Sequence, residues 1–314
     1  MPKQFEARVS QFLLTLDSTH TRSAYESDLA KFQEWWKGTY EVTFSVAGIT
    51  RVHVREWRNW MKSRYAVSTI NRRLAALSSF LAWCVEREYI QTNPARRVKK
   101  LKQQNHDIKW LTPADEGRVI RYVESQHSVA QNMGTAAGKR QAARDCAIAY
   151  VLMYAGLRAS ELCGLDLGDV EISERRGHVT VLGKGNKERA VNLNADVRGA
   201  LRDWLKLRPE VGHEALFIGQ RGDRLSTGGL RKLIKRMVEK ASLKDAALDD
   251  VSPHTFRHTW IKRMMDDVSV PDLEIPLNVI LDLAGHASAD SLKPYTVSSA
   301  HDRQRAVERL GFGV

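Results

Sequence analysis

Apolar residues recur at helical spacing through the first hundred positions of the chain. Phe5, Val9, Phe12 and Leu13 make one stripe, and Tyr25, Leu29, Phe32 and Trp36 a second. A third segment runs from Val52 to Met61. A fourth opens near Val67-Ser68-Thr69, with Ser68 or Thr69 as the expected cap, and puts Ile70, Leu74, Leu77, Leu81 and Val85 on one face. Trp35, Trp36, Trp57, Trp60 and Trp83 lie in this region, where the pattern assigns most of them to a bundle core rather than to base stacking. Asn93-Pro94 stops the fourth helix, because proline disfavours helical backbone in the residue before it.

The stretch from Arg96 to Asp107 is polar and basic and reads as an exposed linker. Helical patterning resumes at Leu111-Thr112-Pro113, with Thr112 as cap and Pro113 at the first helical position. Ser125 to Arg140, rich in Gln, Ser, Gly and Ala, reads as a loop, and Ala142 to Leu157 as a buried helix. Two strands, His178 to Leu182 and Ala190 to Leu193, flank Gly183-Lys184-Gly185-Asn186-Lys187 and predict a β-hairpin with a glycine-rich tip. The remainder is mostly helical. The fold expected is mainly α with a small β-sheet. A helical bundle occupies residues 1–97, a basic linker 98–110 and an α+β domain 111–314. A length of 314 residues exceeds what one simple core accommodates, which also argues for two domains.

Charge sharpens this picture. The chain carries +12 overall, and residues 1–105 hold 18 Lys+Arg against 9 Asp+Glu. A basic first third before a nearly balanced remainder suits a polyanionic partner, DNA in particular, although a solvated basic surface reads the same way. Thr69, Asn71, Arg72 and Arg73 on the outer face of the fourth helix, and Arg96, Arg97, Lys99 and Lys100 in the linker, are the candidate DNA contacts. Cys84, Cys146 and Cys163 sit in apolar helical patterns, so buried thiols are expected and a disulfide framework is not. The N-terminus has no signal-peptide pattern, and the longest apolar run, Cys146 to Leu157, is too short to span a bilayer. A cytoplasmic protein with no membrane partner is expected.

The chemistry-bearing residues come in four groups. Ser252-Pro253 opens a helix whose first turn presents His254 and Arg257, which suits a phosphate at a helix N-terminus. His254 and His258 also stand four apart, but the glutamate of the zinc-protease pattern is replaced by Thr255, so no metal is expected. Arg158 follows Gly156 at the end of a buried helix, with Glu161 three residues on to orient it. Lys184 stands between two glycines, without the Gly-x-x-x-x-Gly-Lys-Ser/Thr of a nucleotide loop. His286 follows Leu283-Ala284-Gly285, and Tyr295 lies nine residues on. A phenol titrates near ~10, so an attacking tyrosine needs positive neighbours or a base. Taken singly, each group has a plain structural reading: an Arg–Glu pair, a solvated turn, a surface helix, a packing tyrosine.

In this order, however, the motifs resemble the tyrosine recombinase (phage integrase) family, and its Xer-type members most of all. Gly156-Leu157-Arg158-Ala159-Ser160-Glu161-Leu162 is similar to the first arginine box, Gly183 to Arg189 to the lysine hairpin, and His254-Thr255-Phe256-Arg257-His258 to the His-x-x-Arg box. Leu283-Ala284-Gly285-His286 is similar to the final histidine motif, with Tyr295 as nucleophile. Lys293-Pro294, Trp260 and an extra loop from Asp267 to Pro276 depart from the family pattern without removing a catalytic position. The resemblance implies a SAM-like core-binding domain, a recombinase catalytic domain and site-specific DNA recombination through a 3′-phosphotyrosyl intermediate. It implies that Arg158, Arg257 and His286 bind the scissile phosphate, that Lys184 protonates the leaving oxygen and that His254 assists Tyr295, with Glu161 and His258 as supporting neighbours. It further implies no cofactor, double-stranded DNA with inverted-repeat core sites, a homotetramer on DNA, and room for a second recombinase or accessory protein. A DNA-binding protein of this fold without strand exchange, a type IB topoisomerase-like activity and a metal-dependent nuclease are the alternatives.

Overall fold

The computed structural model describes residues 2–40, 44–102, 108–183, 188–243, 251–266 and 275–285, together with Leu292 and Tyr295. The chain divides into two compact units, Met1–His106 and Asp107–Val314.

In the first unit, helices α1 (Pro2–Leu14), α2 (Thr19–Thr39), α3 (Arg51–Met61) and α4 (Val67–Glu86) surround an aromatic core. Ser18 caps α2 by accepting from the Thr21 N–H, and Thr50 and His53 cap α3 reciprocally. Phe32, Trp57 and Phe80 are fully enclosed, and the rings of Phe32 and Trp57 meet edge to face with centroids 4.9 Å apart. Of the five tryptophans in this region, most of them expected in the core, Trp35, Trp36, Trp57 and Trp83 are buried and Trp60 partly so. The start of α4 differs from the expectation. Its cap position is Ala66, because the Ile70 N–H already closes the helical ladder on the Ala66 carbonyl, which leaves Ser68 and Thr69 inside the first turn. The basic stretch after α4 is also less free than its composition suggests. The Asn71 amide donates to the Leu101 carbonyl at 2.9 Å and accepts the Leu101 N–H at 2.8 Å, while Val98 and Leu101 pack on the helical core.

The second unit begins with α5 (Pro113–Met133), capped by Thr112 with Pro113 in its first turn, and α6 (Ala136–Tyr154), capped by Thr135. Residues 125–140 are therefore helical apart from a break at Gly134-Thr135, not the loop that their composition suggested. Gln, Ser and Ala are compatible with helix, and a single capping threonine restarts it. Next come α7 (Ala159–Gly164) and an antiparallel sheet of β1 (Val170–Ile172), β2 (Gly177–Leu182) and β3 (Glu188–Asn192) in that order. Then follow α8 (Ala195–Leu207), α9 (Thr227–Lys240), α10 (Pro253–Asp266) and α11 (Leu277–Ala284). The three-residue strand β1 is too short to show an alternation in sequence. One large core lies beneath α5, α6, the sheet, α8 and α9. A smaller cluster joins Trp260 and Ile261 of α10 to Ile280 and Ala284 of α11, Leu292 and Tyr295. All three cysteines are buried and free, and among the described residues no helix is long and apolar enough to cross a membrane.

Asn71→Ala removes both hydrogen bonds to Leu101, each worth about 1 kcal/mol. The expected outcome is faster tryptic cutting after Arg96, Arg97, Lys99 and Lys100 while α4 stays folded, checked by mapping limited-proteolysis fragments.

Candidate functional site

One charged cluster of the second unit lies where α6, α7, β3, α10 and α11 end or begin. After α6 the chain turns through Gly156, whose φ of +60° lies in the left-handed region. A Cβ there would lie 2.3 Å from the Trp260 indole, so the position has neither the backbone nor the space for a side chain. The turn delivers Arg158 to the N-terminus of α7. Glu161 Oε2 accepts the Arg158 backbone N–H at 2.8 Å, Glu161 Oε1 accepts Arg158 Nη1 at 2.7 Å, and Arg158 Nη2 donates to the Gly285 carbonyl at 3.1 Å. A second arginine shares the carboxylate. Arg189 of β3 donates from Nη1 and Nη2 to the two Glu161 oxygens at 2.9 and 3.0 Å. Burial alone would raise the Glu161 carboxyl, but the hydrogen bonds from Arg189 and Arg158 outweigh it and bring it down to about 2.

Arg257 comes from α10 and is buried. It donates to the carbonyls of Gly156 and Ala284, so it bridges the turn before Arg158 to the end of α11. Burial, helped by the nearby Arg158, lowers this guanidinium to about 10, which still leaves it charged at neutral pH. His254, one turn before His258 on α10, has its ring centroid 5.4 Å from that of His258. Burial and then the charges of Arg257, Arg158 and Arg231 lower His254, so its neutral imidazole is favoured. His258 Nδ1 is hydrogen-bonded to the Tyr295 hydroxyl. Tyr295 is only 4% exposed and packs in the cluster of Trp260, Ile280, Ala284 and Leu292. Burial pushes its phenol up to about 12 against the pull of Arg257, so in this state the hydroxyl keeps its proton.

Arg158, Glu161, His254, Arg257, His258 and Tyr295 thus occupy one region. Lys184 and His286 lie outside the described residues, as do residues 267–274 of the extra loop. The first-unit candidates take varied positions. Arg96, Arg97, Lys99 and Lys100 are exposed, and Thr69 is half-buried. Arg72 is exposed but ion-paired with buried Asp28. Arg73 is itself buried, stacked on Tyr65 at 3.9 Å with Asp28 3.5 Å away, and Asn71 is engaged by Leu101. Arg73 and Asn71 therefore hold the first unit together from the positions expected to meet DNA. Sequence reading passed over Arg189. Its signal was present: Arg189, Val191 and Leu193 alternate, and the latter two are buried.

A model described as the phage integrase family matches residues 124–301, and one described as the phage integrase N-terminal SAM-like domain matches residues 9–88. The tyrosine recombinase XerC of Thermodesulfovibrio yellowstonii is 31% identical over 288 residues, covering 89% of this chain and 86% of the relative. That of Corynebacterium glutamicum is 29% identical over 309 residues, covering 94% and 88%. Among solved structures, the XerH site-specific recombinase bound to palindromic difH substrate, in its post-cleavage complex, superposes with a TM-score of 0.70 at 21% identity. That match covers 92% of this chain and 78% of the other, and it is a likeness of fold.

Glu161 has a testable pH signature. Its folded carboxyl is depressed to about 2, below the ordinary range, so its stabilisation is present above the unfolded value and lost as pH falls toward about 2. Glu161→Gln should cost about 3 kcal/mol at neutral pH. The gap between wild type and variant should narrow steadily below pH ~4, read by urea denaturation across pH.

Proposed function

The chain belongs to the phage integrase family, and on that premise we propose that it is a site-specific DNA recombinase that cuts and rejoins strands through a covalent bond to Tyr295. One observation carries the assignment of roles: the Tyr295 hydroxyl rests on His258 Nδ1 within the cluster that holds Arg257 and Arg158. As the Tyr295 oxygen bonds to phosphorus, its proton passes to His258 and the bond from phosphorus to the 5′-oxygen breaks. The immediate proton acceptor is thus His258 rather than His254. Neutral His254 is suited to donate a hydrogen bond to a non-bridging oxygen. Arg158 and Arg257 offset charge that builds on those oxygens, and their prior engagement with Glu161 and backbone carbonyls means little reorganisation at the moment of reaction. Lys184, by family resemblance, protonates the departing 5′-oxygen, and His286 adds a further hydrogen bond. The covalent phosphotyrosine conserves the energy of the broken bond, so rejoining needs no nucleotide or metal.

The partner in this reading is double-stranded DNA with inverted core sites. The basic first unit supplies the electrostatic grip through Arg96, Arg97, Lys99 and Lys100. Two paired sites and four copies of the chain complete the reaction, in the cytoplasm and at the nucleoid.

The test is capture of the covalent adduct. Protein is mixed with DNA from the gene's own chromosomal neighbourhood and quenched in SDS. Protein-linked DNA is expected with wild type and is absent with Tyr295→Phe, which still binds the DNA. Tight binding with no adduct would support a DNA-binding protein without strand exchange, and relaxation of arbitrary supercoiled plasmid would support a topoisomerase. Arg158→Ala should slow adduct formation by about 10²-fold or more, and a loss below ~10-fold would reject its role. His258→Ala should slow it by at least ~10²-fold, whereas an unchanged rate would return the acceptor role to His254.

A further inference from the structure

The inward face of the hairpin carries one residue that an apolar pattern does not explain. Val179 and Val181 of β2 are buried, and Val191 of β3 stands opposite Val179. Arg189 stands opposite Val181 and so shares that face. A guanidinium there is unfavourable unless it is paired, and it is paired with Glu161 alone among the described residues, its buried Nε–H having no acceptor among them. Both of its Nη groups go to the oxygens that also hold Arg158. Glu161 Oε1 takes Nη1 of each arginine, and Oε2 takes Nη2 of Arg189 and the backbone N–H of Arg158. The opposite side of the guanidinium is closed by Gly285. A Cβ at that position would lie 3.1 Å from Arg189 Cζ, and the Gly285 carbonyl is the other acceptor for Arg158.

We propose that Arg189 is a positioning residue: its two-pronged grip fixes the plane of the Glu161 carboxylate, and through Glu161 it holds the Arg158 guanidinium in place for the scissile phosphate. The proposal rests on the recombinase reading above. Without Arg189 the carboxylate keeps one bond to each oxygen, both from Arg158, so it and the Arg158 side chain can shift together. A displacement of that kind is enough to slow phosphoryl transfer about 10²-fold without touching DNA affinity.

The test uses Arg189→Leu, which continues the apolar face of Val179, Val181 and Val191 and so keeps the strand packed, beside Arg189→Lys, which keeps charge but not the fork. On the DNA recovered by adduct capture, Arg189→Leu is expected to cleave about 10²-fold more slowly at saturating protein with unchanged binding, and Arg189→Lys to recover only part of the loss. A methylphosphonate at the scissile position replaces the charged non-bridging oxygen with a methyl group and leaves less charge for Arg158 to balance. On that substrate the deficits of Arg189→Leu and Arg158→Ala should shrink together. A wild-type rate for Arg189→Leu, or a deficit equally large on both substrates, overturns the proposal. Without DNA, the Arg158 guanidinium nitrogens should give resolved NMR signals in wild type that merge in Arg189→Leu as rotation is freed. Signals that stay resolved also overturn it. If wild type gives no Tyr295-dependent adduct, the recombinase reading fails, and the NMR comparison still decides whether Arg189 holds Arg158.

Discussion

A carboxylate as enclosed as Glu161 stays ionised only while cations surround it, and the geometry of the whole site follows from that requirement. Two arginines from distant parts of the chain meet its two oxygens. One begins α7 and the other lies near the start of β3, so a single side chain joins the arginine box to the hairpin. Arg257 is held by the opposite device, two backbone carbonyls and, among the described residues, no carboxylate. Among the described residues, three guanidinium groups and one buried carboxylate leave a net positive region. Such a region is an awkward thing to bury and a suitable one for a phosphate.

Much of the fold was legible. Four helices of the first unit, the Thr112-Pro113 start of α5 and the hairpin follow from periodicity and capping chemistry, which act locally. The misread portions have separate causes. Residues 125–140 lack a strong apolar period and hold no buried side chain, yet contain little that forbids helix, and the Thr135 cap restarts it. The start of α4 is a local choice among neighbouring cap positions, whereas the fastening of Leu101 by Asn71 spans thirty positions, which no local pattern reports.

The site was legible in its parts and not in its partnerships. Order and wording of the motifs picked out Arg158, His254, Arg257 and Tyr295. Nothing in that wording says that Tyr295 meets His258 rather than His254, since both histidines share a helix face and only the placement of Tyr295 selects between them. Arg189 was missed for a different reason. It stood just before the strand expected from Ala190, where a charge is unremarked, although it lies in β3 at an inward place where a charge needs a cause.

Gly156 and Trp260 carry a consequence for how this chain can vary. The glycine's α-carbon lies under the indole, its carbonyl accepts from Arg257, and the indole N–H donates to the Tyr154 carbonyl at 3.1 Å. The constraint falls on position 156. A side chain at 156 has no room beneath the ring, and a smaller residue at 260 opens a void beside the backbone that holds Arg257. Position 156 therefore stays glycine whatever stands at 260, because its left-handed backbone excludes a side chain even where the ring is gone.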